Sequence, residues 1–152
     1  MKLMTLVLIS LSVITFRSCG EAVGHDDVDL DIDTVYAGGV MSLTPYVDYE
    51  GEEEAVFEYG SQIAWINKIE QDGEILYEYE GDPGNVQQDI LLETDGQHDG
   101  ETVELEVEPG IFDIHMTAHY FFTNDQSESN ETVSEYSHEK MQKVEVQGNG
   151  SQ

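Results

Sequence analysis

The sequence has very few basic residues: Lys and Arg together number 5, against 33 Asp and Glu. Two of the five, Lys2 and Arg17, lie in an apolar N-terminal segment. The rest of the chain therefore contains three lysines and all 33 acids. Such a surface repels nucleic acid phosphates and anionic lipid headgroups, which excludes binding to either through a basic patch. It favours cations and basic partners, and it is what a halophilic or alkaliphilic source would produce, since salt screens the self-repulsion.

Cysteine occurs once, at Cys19, so an internal disulfide is excluded. It follows a basic start, Met1-Lys2, and an apolar run over residues 3–16 that is too short to span a membrane. This arrangement predicts a signal peptide over residues 1–18. A cysteine at the end of such a leader resembles bacterial lipoproteins, which implies that Cys19 is lipid-modified and becomes the new N-terminus. The alternative is cleavage nearby, after Gly20 or Ala22, which would release a soluble protein.

Helical patterning is missing after the leader, and the clearest pattern present belongs to residues 109–122. After the turn signal Pro109-Gly110, apolar residues alternate strictly with others. This is the period of a strand with one face in a core and one face in solvent. The side chains predicted to face the core are Phe112, Ile114, Met116, Ala118, Tyr120 and Phe122, and those predicted to face outward begin Asp113, His115, Thr117 and His119.

Short alternating runs with turn signals between them fill most of the remaining chain. Residues 27–33 alternate aspartate with Val or another aliphatic residue, which predicts an edge strand with a solvated acidic face. Asp72-Gly73 is a strong hairpin signal. In residues 62–69, alternation places Lys68 on the same face as Ile66. The other predicted strands span residues 40–43, which end before Pro45, and residues 55–59, 75–79, 88–92, 102–107 and 137–146.

These eight or nine strands predict an all-β protein with an antiparallel β-sandwich. A length of 152 residues suits one such domain. We expect a signal peptide over residues 1–18, a tether over 19–26, the sandwich domain over 27–147 and a disordered tail over 148–152. Within the domain, the polar residues 123–135 predict a mobile hairpin loop.

The order of several short motifs resembles the intracellular proteinase inhibitor (BsuPI-type) family. They are Met41-Ser42-Leu43, Ala55-Val56-Phe57-Glu58-Tyr59, a Gly/Ser/Gln turn before the strand around Trp65, Leu76-Tyr77-Glu78-Tyr79, Glu101-Thr102-Val103-Glu104-Leu105 and Glu108-Pro109-Gly110. The resemblance covers roughly residues 27–147. It implies an immunoglobulin-like β-sandwich that inhibits a serine protease. The secretory leader departs from that family, whose protease is cytosolic, and no inhibitory loop motif can be carried over residue by residue.

Motifs for catalysis are missing from this sequence. There is no Gly-x-Ser-x-Gly turn and no glycine-rich phosphate loop. His138-Glu139 begins like a zinc-protease motif, but Gln142 stands where the second histidine is needed. His115 and His119 share a strand face but are about 13 Å apart, too far to bind one metal ion without other ligands. The two remaining histidines, His25 and His98, are predicted in acidic loops.

Calcium is a possible ligand of the acidic loops. Asp95, Asp99 and Glu101 share a glycine-containing loop, and residues 52–54 are consecutive glutamates, but neither stretch has a defined calcium-binding spacing. The alternative is that both are solvated loops. Five tyrosines could form an exposed aromatic patch for a partner, or they could be half-buried in the sandwich. They are Tyr46, Tyr49, Tyr59, Tyr77 and Tyr79.

The sequence therefore predicts an exported, lipid-anchored, acidic binding module of the bacterial cell envelope, without enzymatic activity. Its expected partner is a protein, a serine protease being one candidate, with membrane contact only through the lipid and no nucleic acid. Without lipidation of Cys19 it would be secreted. The alternatives are a BsuPI-type proteinase inhibitor acting on a subtilisin-like protease and a calcium-binding surface protein. We predict no catalytic, cofactor or metal residue; the one predicted site residue is Cys19.

Overall fold

The structure, a computed structural model, describes residues 24–84, 87–124 and 133–148. In these residues every regular element is a strand. The predicted signal peptide, Cys19 and most of the tether lie outside the described residues, as do residues 125–132 of the predicted hairpin loop and 149–152 of the tail. The strands are β1 Val28–Ala37, β2 Val40–Tyr49, β3 Ala55–Tyr59, β4 Ala64–Gln71, β5 Glu74–Glu78, β6 Gln88–Leu92, β7 Gly96–Asp99, β8 Val103–Glu106, β9 Gly110–Asn124 and β10 Ser134–Val146.

The strands form two antiparallel sheets, which confirms the predicted all-β sandwich. Sheet I has the order β1-β2-β7, with β8 also paired to β2. Sheet II has the order β5-β4-β9-β3-β6, with β10 paired to β9. One hydrophobic core includes residues of both sheets. Strand β1 lies at an edge of sheet I, as its acidic alternation predicts.

Strand β9 is the longest strand and the centre of sheet II. Along one side it pairs with β10 from Gly110 to Phe122, and along the other side it pairs first with β4 and then with β3. The six side chains predicted to face the core are all buried. The outward positions differ at one point, because Thr117 is also buried, at 7% exposure, and its hydroxyl accepts a 2.6 Å hydrogen bond from Asn67.

Strand β2 continues through Pro45, where the sequence predicted that it would end. Proline lacks a backbone N–H and is tolerated in a sheet only where no ladder bond is needed from that position. Pro45 lies between the part of β2 that pairs with β8, ending at Leu43, and the part that pairs with β7, beginning at Tyr46. The carbonyl of Pro45 accepts a hydrogen bond from the N–H of Gly100. Because the nitrogen and the carbonyl of one strand residue point to the same side, the nitrogen of Pro45 also points to the gap between β7 and β8.

The hairpin between β4 and β5 agrees with the prediction, and strand β7 does not. The hairpin at Asp72 and Gly73 is confirmed, since β4 and β5 pair on either side of it. Strand β7 was missed, because residues 95–100 read as a turn-rich segment. Its four residues pair with the second half of β2, and His98 therefore lies on a strand and not in a loop.

Candidate functional site

The outer face of sheet II carries a group of charged, aromatic and sulfur-containing side chains on three neighbouring strands. We call this group the mixed face. It consists of Trp65, Lys68 and Glu70 on β4, Asp113 and His115 on β9, and Met141 and Lys143 on β10. Residues directly opposite one another in an antiparallel sheet point to the same side, and the pairing places these strands side by side.

A β-bulge in β4 is needed to build the mixed face. The register between β4 and β9 shifts between Ile66, which pairs with Met116, and Lys68, which pairs with His115. Without the extra residue, Asn67, strict alternation would direct Lys68 into the core beside Ile66, which is 1% exposed. The sequence alternation placed Lys68 on that face, and the bulge shows that this was wrong.

The charges at the centre of the mixed face are paired. One carboxylate oxygen of Glu70 lies 3.0 Å from the Lys68 ammonium and 2.8 Å from Nε2 of His115. Hydrogen bonds from Lys68 and His115 hold the pKa of Glu70 below its ordinary value. On the neighbouring strands, Lys143 lies 2.6 Å from the carboxylate of Asp113. The local charge is therefore balanced on a chain that is otherwise strongly acidic.

Apolar groups are exposed beside these pairs. Met141 is 53% exposed and stands directly opposite His115. The half-exposed ring of Trp65 lies 6.2 Å from the ring of Tyr79. A shallow, open depression of about 360 Å³ is lined by Asn67, His115, Met116, Glu139, Lys140 and Met141. Glu78, Glu139 and Glu145 stand at the margin of this face.

The outer face of sheet I has a different character. Among the described residues, its charged side chains are all carboxylates: Asp29, Asp31, Asp33, Asp48, Asp99, Glu104 and Glu106. Tyr46 stands among them, and burial together with the nearby aspartates raises the pKa of its hydroxyl. The ammonium of Lys140 approaches Asp31 at 3.6 Å from the edge of sheet II, where it also donates to the Leu30 carbonyl.

Two predictions about histidine geometry are confirmed. His115 and His119 both lie on the outer side of β9, and each is paired with its own carboxylate, Glu70 and Glu135 respectively. His138 and Glu139 lie on strand β10, not on a helix. Within the described ranges, no group of three or more His, Cys, Asp or Glu side chains is placed to hold a metal ion.

Some groups of the loops considered for calcium make hydrogen bonds within the protein. Asp99 accepts a hydrogen bond from Gln97, and Glu101 exchanges two bonds with Gln62. The carbonyl of Glu53 accepts the hydroxyl of Tyr49 at 2.6 Å.

The five tyrosines do not form one patch. Tyr49 and Tyr59 are buried in the core, Tyr46 lies on sheet I, and Tyr77 and Tyr79 are half-buried at the β5 end of sheet II.

Sequence reasoning missed the mixed face as a unit. Its β9 members were predicted to point outward, but nothing in the sequence shows which strands flank β9. The signal that could have located the bulge was Asn67, a polar residue interrupting an otherwise alternating strand.

Comparisons with known proteins found similarity only to solved structures. No protein-family model and no curated protein matches the sequence. The X-ray structure of Northeast Structural Genomics Consortium target SoR45 is 16% identical, with a TM-score of 0.42, covering 86% of this chain and 99% of its own. A crystal structure of a protein from Archaeoglobus fulgidus is 10% identical, with a TM-score of 0.26, covering 79% and 97%. Membership of the BsuPI-type family stays a prediction.

None of the described residues belongs to a helix long and apolar enough to cross a membrane.

Proposed function

We propose that this chain is a non-enzymatic binding module of the bacterial cell envelope, and that it binds a protein partner through the mixed face. The observation that carries the proposal is the contrast between the two outer faces. Central protein–protein contacts favour Trp, Tyr and Met and have few unpaired charges. Burying an unpaired charge costs several kcal/mol. The outer face of sheet I would present a row of carboxylates, of which Asp31 has a basic partner, Lys140. The mixed face instead offers Met141 and Trp65 beside carboxylates that are already paired.

The absence of enzymatic activity is part of the proposal. Every histidine side chain in the described residues already has a hydrogen-bond partner. His98 bonds Tyr59, His115 and His119 bond glutamates, and His25 and His138 accept backbone N–H groups. These contacts support a structural role for the imidazoles, since a general base has to reach a substrate or a nucleophile.

The location at the envelope rests on the leader and on Cys19. A single acyl chain gives weak anchoring, so two lipid chains or a second signal are needed for stable attachment. We expect Cys19→Ser to move the protein from the membrane fraction to the soluble fraction. A wild-type protein that is already soluble after removal of the leader would contradict the lipid anchor.

The binding surface can be tested with a photo-reactive amino acid placed at Met141 or, as the matched control, at Val35. Both positions are on outer strand faces and strongly exposed, at 53% and 61%. We expect crosslinking in the source cells to join position 141, and not position 35, to one protein. With that protein purified, Met141→Glu should weaken binding at least about tenfold, or about 1.4 kcal/mol, while Val35→Glu leaves it unchanged.

Equal crosslinking from both positions, or an equal effect of the two glutamates on affinity, would overturn the assignment of the mixed face.

A further inference from the structure

The segment that leads into β1, residues 24–27, is seated on β9 and β10. The ring of His25 stacks on Phe122 with ring centroids 4.3 Å apart and meets the edge of Tyr136 at 5.0 Å. Gly24 lies so close to the imidazole of His138 that a Cβ at this position would be 2.1 Å from the ring. Gly24 and His25 fall in the predicted tether, residues 19–26, yet they are packed against the sandwich.

Two imidazole nitrogens hold this segment by accepting backbone N–H groups. The N–H of His25 donates to Nε2 of His138 at 3.2 Å, and the N–H of Asp27 donates to Nδ1 of His25 at 3.1 Å. The hydroxyl of Tyr120 lies 2.7 Å from the same Nε2 of His138. A backbone N–H can only donate, so Nε2 of His138 has to be unprotonated in this arrangement.

We propose that residues 24–27 are an acid-released latch, held closed by the neutral imidazole of His138 and opened when that ring takes up a proton at Nε2. Protonation places an N–H against the N–H of His25 and removes the acceptor. A proton on Nδ1 of His25 would break only the bond from the Asp27 N–H, which lies within the segment, and would stand 4.0 Å from the carboxylate of Asp27.

The titratable surroundings of His138 come from four elements. They are His25, Asp26 and Asp27 in the segment itself, Asp29 on β1, Tyr120 on β9, and Tyr136 and Lys140 on β10. Burial lowers the pKa of His138, with Asp29 opposing and His25 adding to the effect. Since the pKa is lower in the closed form, the closed form is fully favoured above about pH 6.5 and loses stability as the pH falls toward the lowered value.

Opening the latch would have two consequences for the molecule. The free segment before β1 would gain four residues, or about 13 Å of reach in an extended conformation. The rings of Phe122 and Tyr136, now covered by His25, would become accessible. The latch does not depend on the proposed function of the mixed face, which lies on the other side of sheet II.

The test is hydrogen exchange of the purified full chain between pH 8 and pH 5, corrected for the intrinsic effect of pH. We expect protection of the His25 amide to fall by up to about tenfold for each pH unit below about 6.5, while the amides of β9 stay protected. In His138→Gln, a side-chain oxygen can accept the same N–H at every pH, so protection should become independent of pH. The matched control, His119→Gln, changes an outward histidine of β9 and should behave as the wild type.

Protection of the His25 amide that does not change with pH would overturn the proposal. So would an unchanged pH dependence in His138→Gln, or simultaneous loss of protection in β9, which would indicate global unfolding. If His138→Gln does not fold, ¹⁵N NMR of the wild type decides: Nε2 of His138 has to be unprotonated at pH 8 and to titrate together with the signal of the His25 amide.

Discussion

The aromatic residues at the centre of the core show how single side chains hold the two sheets together. Phe57 is fully buried, and its ring centroid lies 5.4 Å from that of Tyr49 on sheet I, and 5.1 and 5.3 Å from those of Tyr120 and Phe122 on β9. Aromatic rings at these distances contribute attraction beyond the area they bury. Alternation alone predicted the inward direction of Tyr120 and Phe122. The contact with Tyr49 was not predictable, because Tyr49 was placed beyond the end of its strand at Pro45.

Replacement of Phe57 by alanine should strongly destabilise the protein. The change leaves a cavity between two sheets, and we expect a loss of about 3–5 kcal/mol in the free energy of unfolding, measured by urea denaturation. The matched control is Phe121→Ala, which removes a half-exposed ring from the outer face of β9 and should cost about 1 kcal/mol. Equal losses in the two variants would contradict the placement of Phe57 at the centre of the core.

His98 should make stability depend on pH. Burial lowers the pKa of its ring, with Asp99 opposing, and Nε2 lies 2.8 Å from the hydroxyl of the buried Tyr59. A lowered pKa in the folded state means that its contribution is present above about pH 6.5 and is lost as the pH falls toward the lowered value.

We therefore expect the free energy of unfolding to fall between pH 7.5 and pH 5.5, and to fall less in His98→Gln. Some dependence should remain in that variant, because the pKa of His138 is also lowered. In the control, His119→Gln, the fall should equal that of the wild type. A His98→Gln variant with the full wild-type fall would show that His98 does not contribute.

At the scale of strands, the sequence predicted elements well where a repeating pattern continued without interruption. β9 and the edge strand β1 follow from strict alternation, and the β4–β5 hairpin follows from the residues of its turn. Predictions were wrong where one residue changes the geometry. Pro45 is accommodated by a gap between β7 and β8, and Asn67 reverses the direction of Lys68. Both depend on which strands become neighbours, and a single strand does not reveal this.

The turn between β4 and β5 requires glycine at its second position. Asp72 and Gly73 both have positive φ, at 53° and 82°, as a tight hairpin turn of this kind demands. Apart from Gly73 and its two chain neighbours, no residue has an atom within 4 Å of where a Cβ on Gly73 would be, so a substitution there reports only the backbone conformation. We expect Gly73→Ala to lower the free energy of unfolding by about 1–2 kcal/mol, measured by urea denaturation.

The control for this turn is Asp72→Gly, which removes the only side chain held at positive φ in the turn. It should stay within about 0.5 kcal/mol of the wild type, because relief of strain offsets the greater freedom of glycine in the unfolded chain. If Gly73→Ala were as stable as the wild type, the turn would not have the conformation described.

At the scale of the whole molecule, the main feature is the uneven distribution of charge. Carboxylates line the outer face of sheet I, whereas Lys68 and Lys143 are concentrated on the mixed face of sheet II. The net charge was readable from composition, but its division between two faces required the pairing of the strands. Self-repulsion of this size weakens a compact fold at low ionic strength, and salt removes it.

We expect the melting temperature to rise as sodium chloride increases from about 0.1 M to about 1 M, over which the screening distance falls from about 10 Å to about 3 Å. Each kcal/mol of repulsion that is removed should raise the melting temperature by about 2–4 °C in a chain of this size. Calcium chloride at matched ionic strength is the control, and an additional rise with calcium would favour the calcium-binding alternative. A melting temperature that does not change with salt would contradict the screening explanation.

Trp65 allows the most direct test of the mixed face, because it is the one tryptophan in the chain. The measurement is quenching of its fluorescence by acrylamide, with and without a saturating amount of a tryptophan-free form of the crosslinked partner. If the mixed face is the binding surface, binding shields Trp65 and reduces quenching, and Met141→Glu shifts this effect to partner concentrations at least about tenfold higher. A partner that binds while Trp65 remains as accessible as in the free protein would show that the mixed face is not the binding surface.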